Sequence, residues 1–157
     1  MDGSPVDVRA ADPADAALLA SMLADFNVEF DSPGPDVAIL APRYERLLAG
    51  PDFWAVIAGD PAVGFATVAM RPSVYSAGDV ALLEDFFVRP EMRNRRVGAA
   101  MMEALLDRLD QMDAGALEVQ VDEPDADAMR FYARYGLQLR DALTDDRVLV
   151  LWLDLEV

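Results

Sequence analysis

The sequence contains no cysteine, no histidine and no lysine. Without cysteine, disulfides and thiolate metal sites are excluded. Without histidine, the chain lacks the commonest general base, the commonest metal ligand and any Ser-His-Asp triad. No metal site is expected. Without lysine there is neither Schiff-base chemistry nor the lysine of a phosphate-binding P-loop. Acid–base work must therefore come from carboxylates, tyrosines, the backbone or water. Long apolar runs are also missing: every run is broken by Asp, Arg or Pro, so no membrane span is expected. The opening stretch MDGSPVDVRA is acidic and has no apolar core, so it does not read as a secretory leader and a cytoplasmic location is expected.

The 157 residues suffice for one domain with a real core, and 54% hydrophobic against 27% charged residues argues against disorder. Acids outnumber bases 29 to 13, a formal net charge of -16. Such a surface repels nucleic acid, so no nucleic-acid partner is expected. It suits a cationic substrate, and it suits equally a compositional habit that favours Asp, and Arg over Lys.

The pattern along the chain reads as a mixed α/β domain over residues 1–157. Alternation over 6–11 predicts a strand. Asp12 before Pro13 predicts a helix start, with the helix running to about Phe30. A second helix is expected near 36–49, kinked or split by Pro42. Two apolar runs around Gly59-Asp60-Pro61 predict a hairpin over 53–71. Then come a buried strand over 80–88, a helix over 95–112, a strand over 115–121 and a short helix over 125–135 ended by Gly136. A strand at 137–140 and an apolar closing strand at 147–155 complete the order. The strand–helix–strand unit from 80 to 121 implies a right-handed crossover with its two strands parallel.

One stretch concentrates positive charge. RPEMRNRRVG, residues 89–98, holds Arg89, Arg93, Arg95 and Arg96. It joins a buried strand to a helix, at the strand end where α/β folds place ligands. A helix N-terminus with free N–H groups, a small Gly98 and forked guanidinium donors together suit a phosphate-bearing ligand. A solvated first turn whose arginines satisfy nearby acids fits the residues equally well.

LEDFFVRPEMRNRRVGAAMM resembles the signature of the GNAT family of N-acetyltransferases. That family carries Arg/Gln-x-x-Gly-x-Gly/Ala after a strand ending in Val-x-Pro. Arg93 takes the first place, Gly98 the last, and Arg96 stands where the family usually has its first glycine. A second register through Arg95, Gly98 and Ala100 also satisfies the pattern, but the first sets Val88 and Pro90 at their usual distance. DADAMRFYARYGL (125–137) is similar to the family's Asn-x-x-Ala-x-x-Phe-Tyr-x-x-x-Gly-Phe, with Ala128, Phe131, Tyr132 and Gly136 matching, Asp125 in place of Asn and Leu137 in place of Phe. LEDFFV is also similar to the corresponding strand of the spermidine/spermine N-acetyltransferase branch, where the residue at the position of Glu84 contacts the amine.

The resemblance implies a single-domain GNAT-like α/β fold with a mixed central sheet, flanked by helices, whose two central parallel strands splay apart. It implies an acetyl-CoA-dependent transferase acting on a primary amine, here a small cationic amine of polyamine or aminoglycoside type. Acetyl-CoA would lie against Phe86, Phe87 and Val88, with its pyrophosphate on Arg93, Asn94, Arg95, Arg96, Val97, Gly98 and Ala99, and with Asp125 and Ala128 along its other side. Glu84 would take the amine's proton and Tyr132 would protonate the leaving thiolate; read without the family, Tyr132 fits an ordinary amphipathic core position. Glu84 and Asp85 are adjacent on a strand and point to opposite faces unless a bulge intervenes. Asp25 and Glu29, with Asp31 and Asp36, are candidates for steering the cation; a solvated helix end is the alternative. Two other readings keep the fold: a protein or peptide N-acetyltransferase, and a non-catalytic CoA-binding regulatory domain, which the departures at Arg96 and Asp125 motivate. The apolar closing segment RVLVLWLDLEV makes a homodimer an expectation.

Overall fold

A computed structural model describes residues 6–155. The reading of the opening residues as no leader falls partly on residues 1–5, outside the described residues. The backbone groups into two compact units that meet in sequence between Leu117 and Glu118. A five-stranded mixed sheet has the order β1-β2-β3-β4-β5.

In the first unit, β1 (Val8–Ala10) leads into a 3-10 turn at Pro13–Asp15 and then α1 (Ala16–Glu29). The Asp12-Pro13 signal is a capping box. Asp12 accepts from the Ala14 N–H at 2.8 Å, and Asp15 accepts from the Asp12 N–H at 2.9 Å. α2 (Val37–Leu48) runs unbroken through Pro42, so the expected split does not occur. One missing N–H costs the helix a single hydrogen bond, and buried Leu40 and Tyr44 anchor it on both sides of the proline.

β2 (Phe53–Ala58) and β3 (Gly64–Arg71) form the expected antiparallel hairpin, and β4 (Val80–Val88) pairs antiparallel with β3. Gly59 turns the hairpin with φ +83, a conformation that disfavours a side chain. Alternate residues face opposite sides of this sheet. Ala55, Ile57, Phe65 and Phe87 pack with Leu19 and Met22 of α1 and with Leu40 and Tyr44 of α2. Trp54, between the hairpin's inward positions, turns to the other face, where the guanidinium of Arg108 on α3 (Val97–Gln111) lies 4.6 Å from its ring centre. The fully buried Met101, Met102 and Leu105 are on that helix.

β5 (Ala116–Val119) is the last strand of the order and spans the boundary between the units. Within the second unit, α4 (Ala126–Ala133) is capped by Asp125, and Gly136 follows it with φ +86. The closing segment departs from expectation. Residues 137–140 and 147–155 form no strand, only an isolated antiparallel bridge between Arg140 and Arg147. Alternating apolar residues supply strand propensity, but a strand also needs a neighbour for its N–H and C=O groups. Trp152, within this apolar closing segment, is 81% exposed and so is no core residue.

Candidate active site

The middle of β4 carries the acids and its C-terminal end opens onto the arginines. Thr67 of β3 stands opposite Asp85 of β4, and the next residue, Val68, stands opposite Leu83. Glu84 is therefore the extra residue of a β-bulge. The bulge settles the face question raised by the sequence. Asp85 shares the α2-side face with Thr67, while Leu83 is turned with Val68 to the other side, as a one-residue slip requires. Glu84 and Asp85 together oppose the single residue Thr67, so the bulge sets the two carboxylates side by side.

Asp85 is held by one buried donor, the Thr67 hydroxyl, which donates to Asp85 Oδ2 at 2.7 Å. The Tyr44 phenol stands beside the same carboxylate. Burial nonetheless pushes the Asp85 carboxyl above the ordinary carboxylate range, with the two neutral hydroxyls pulling it back. Glu84 is pushed up as well, first by desolvation and then by the charge of Asp85. Burial, with the two carboxylates adding to it, pushes the Tyr44 phenol far above its ordinary value, so Tyr44 is a donor throughout the working pH range. Tyr44 and Thr67 were not legible as site residues. Nothing in their local sequence distinguishes them from core positions.

Beyond β4 the chain makes a 3-10 turn at Pro90–Met92 and enters α3. Asn94 and Arg96 adopt left-handed φ values of 60 and 64. Arg96 is the N-cap of α3 and provides no side-chain cap. The first-turn N–H groups of the helix are thus left without a capping side chain, beside a concave run of backbone that suits an anion. The left-handed Arg96 also explains the resemblance's odd substitution: the conformation is the one that favours glycine, and arginine adopts it here.

The four arginines divide into two pairs. Arg93 forks onto Glu29, with N–O distances of 2.5 and 2.8 Å, and its Nε donates to the Val88 carbonyl at 3.0 Å. Arg89 pairs with Asp25 at 3.1 Å and also donates to the Ala62 carbonyl at 3.4 Å. Arg95 and Arg96 are exposed and form no ion pair among the described residues. Asp25 and Glu29, read as candidates for the cation, therefore face arginines of the loop instead. Asp31 and Asp36 line an open depression of about 590 Å³ between α1 and α2, whose lining includes neither Glu84 nor Asp85.

Of the β4 residues read as cofactor contacts, Phe87 is buried in the α1–α2 core, while Phe86 and Val88 are half-buried. Val97 is buried beneath the helix start, and Gly98 and Ala99 are half-buried. In the second unit, Asp125 accepts from the Ala128 N–H at 2.9 Å, so these two residues serve the start of α4. Tyr132 is buried on α4, its ring edge-on to Phe131 with centroids 5.4 Å apart. No cluster of three or more Asp, Glu, His or Cys able to hold a metal occurs among the described residues. No helix among them is long and apolar enough to cross a membrane.

Residues 17–137 match the Acetyltransferase (GNAT) family. The chain belongs to the GNAT family of acetyltransferases. Among solved structures it is similar to a protein from Arthrobacter sp. FB24 assigned as an acetyltransferase, with 38% identity and a TM-score of 0.89, over 99% of this chain and 100% of that one. It shares its fold with the aminoglycoside acetyltransferase meta-AAC0020 from an uncultured soil metagenomic sample, solved with trehalose and with sisomicin, at 18% identity and a TM-score of 0.77 over 96% of this chain and 97% of that one. The aminoglycoside acetyltransferase HMB0005, also from an uncultured soil metagenomic sample, has 24% identity and a TM-score of 0.74 over 98% of this chain and 99% of that one. No curated protein matches in sequence. The GNAT family uses acetyl-CoA as its acyl donor. The uncapped α3 start with its left-handed residues and exposed Arg95 and Arg96 fits the polyphosphate of such a donor.

Proposed function

We propose that this GNAT acetyltransferase transfers acetyl from acetyl-CoA to the primary amine of a small cationic acceptor, of polyamine or aminoglycoside type. The observation that carries the proposal is the bulge in β4, which sets Glu84 and Asp85 together opposite Thr67. Two adjacent carboxylates attract an ammonium ion, and one of them takes its proton to free the nitrogen lone pair. Glu84 is that base in our reading. Its side chain is exposed at the bulge, where an acceptor can reach it, and its carboxyl is raised above the ordinary range, which makes it a better proton acceptor than an isolated carboxylate.

Acetyl-CoA supplies a thioester carbonyl, at which a C–N bond forms as the C–S bond breaks. Phe86, Phe87 and Val88 offer backbone groups along the donor, and residues 93–99 with their arginines hold its pyrophosphate. Tyr132 gives a proton to the departing sulfur, its phenol, with an unperturbed pKa of about 10, being neutral near pH 7. Asp125, Ala128 and Tyr132 enter this proposal through their motif positions. The attacking nitrogen loses its surplus proton to water, Tyr132 regains one, and Glu84 returns its proton to solvent, so that one proton is released per turnover. We take residues 1–157 as one N-acetyltransferase domain, in keeping with a family match that runs through both units.

The test is thiol release from acetyl-CoA with spermidine, spermine, aminoglycosides, amino acids and short peptides. Turnover with small amines, sharply reduced in Glu84→Gln and Tyr132→Phe, is the expected result. Turnover with peptides alone moves the acceptor to proteins. CoA binding without transfer to any acceptor makes the chain a binding domain.

A homodimer is the second part of the proposal. Val148, Leu149, Val150, Leu151, Trp152, Leu153 and Leu155 are all 59% or more exposed. Seven such side chains can supply on the order of the 800 Å² per partner that a stable interface buries. A second copy covers this segment in our reading. Light scattering is expected to give a dimer, and Leu151→Asp with Leu153→Asp a monomer; a monomeric wild-type protein overturns it.

A further inference from the structure

The two carboxylates on β4 are not equivalent. Asp85 accepts from Thr67 on β3 at 2.7 Å, and the neutral phenol of Tyr44 on α2 stands beside it. Glu84, the bulged residue, accepts no hydrogen bond from another side chain among the described residues. A carboxylate that already accepts from a buried hydroxyl has a lone pair engaged, and adding a proton to it forfeits part of that bonding. Its undonated neighbour loses nothing of the kind.

We propose that Tyr44 and Thr67 are positioning residues of the acyl-transfer site: by presenting neutral hydroxyls to Asp85 they fix it as the acceptor-only member of the pair, so that Glu84 is the member that takes up the amine's proton. The inference rests on the reading of Glu84 as the base, and it adds a reason why the proton goes to Glu84 and not to Asp85. The proton leaves the ammonium nitrogen and bonds to a Glu84 carboxylate oxygen. Asp85 keeps its negative charge, which continues to hold the positive end of the acceptor. The groups acting on the pair are Tyr44 from α2 and the neutral Thr67 from β3 on Asp85, and Asp85 itself on Glu84 within β4.

Tyr44 and Thr67 suit this role because neither can itself change charge in the working range. Thr67 is fully buried and has no titratable proton; Tyr44 is 5% exposed and stays a phenol. The side of Asp85 that they engage is therefore committed at every pH at which the enzyme works. Two carboxylates this close titrate as a linked pair, and the asymmetry of the donors decides which of them protonates first on lowering the pH.

The test needs no turnover. Carbon-13 titration of the Glu84 and Asp85 carboxyls, assigned with Glu84→Gln and Asp85→Asn, reads the order directly. In the wild-type chain Glu84 is expected to protonate first as the pH falls. In Thr67→Val and Tyr44→Phe, Asp85 is expected to move up and Glu84 down, each by about 1 pH unit, because a neutral Asp85 no longer repels charge on Glu84. Thr67→Ser restores the wild-type order, and the aromatic ring kept in Tyr44→Phe preserves its packing. Movement of both carboxyls in the same direction, or of neither, overturns the inference whether or not an acceptor has been found. With an acceptor in hand, the acid limb of kcat/KM follows the Glu84 midpoint to lower pH in both variants; an unmoved limb alongside moved carboxyls removes Glu84 as the base and leaves the donor asymmetry standing.

Discussion

Strand β4 separates two kinds of charge, held in two different ways. Its middle carries an exposed Glu84 beside a more buried Asp85, which is held by the Thr67 hydroxyl, a donor that brings no charge of its own. Its C-terminal end opens onto four arginines. Arg89 and Arg93 are tied to acids of α1, and Arg95 and Arg96 are left exposed. The acids are raised by desolvation, and Glu84 by the charge of Asp85 as well. The outer arginines are open because nothing negative has claimed them. Both ends therefore lack something that a reactant can bring: a cation at one and a polyanion at the other. Placing them about a third of a strand apart keeps the two attractions from cancelling.

The sharpest way to break this comparison is at the acid end. Glu84→Gln is expected to lower kcat by about 10²- to 10⁴-fold, the range of a general base, while CoA affinity by calorimetry stays within about twofold. An equal loss of CoA affinity would mean that the two ends are not separate. The next test is at the arginine end. Arg95→Ala with Arg96→Ala is expected to raise KM for acetyl-CoA by roughly 10- to 100-fold and to leave kcat at saturation nearly unchanged, since charge-assisted hydrogen bonds contribute about 1.5–3 kcal/mol each at best and exposed ones less.

Arg96→Gly sharpens the second result by separating shape from charge. Glycine takes the left-handed conformation at no steric cost, so the variant is expected to gain about 1 kcal/mol of stability in urea melts while KM for acetyl-CoA rises. A loss of stability would show that the arginine is not strained there. The pH dependence of stability probes the acids without any ligand. Asp85 has a folded-state pKa above its unfolded value of about 3.9, so the folded chain binds the extra proton within that window. Stability contributed by this group is present at low pH and is lost as pH rises through the folded value. Asp85→Asn is expected to remove that part of the slope, read as the difference between the two urea-melt profiles between pH 4 and 7. Smallest of all is Glu29→Gln, which breaks a surface pair with Arg93 and is expected to change stability by less than about 1 kcal/mol.

Much of this was legible in the chain itself. Asp12-Pro13, the hairpin around Gly59 and the apolar run of β4 fold as their local signals require, because each depends on neighbours a few residues away. The arginine cluster and the acidic pair were visible as charge in unexpected company. The bulge was not, because alternation along β4 contains no mark of where β3 slips by one residue. Nor were Tyr44 and Thr67, which lie 41 and 18 positions before Asp85 and meet it only through packing. The same holds for Asp25 and Glu29. Their acidity pointed to a cation, and the fold supplies arginines of its own. At 147–155 the failure runs the other way: propensity is plain, but strand structure belongs to a pair of segments and not to one.

The most direct test of the account is thiol release from acetyl-CoA with a panel of small amines, run with the wild-type chain and Glu84→Gln beside calorimetric CoA binding. The account predicts amine-dependent release that falls at least about 100-fold in the variant with CoA affinity retained. Full release by Glu84→Gln would contradict it.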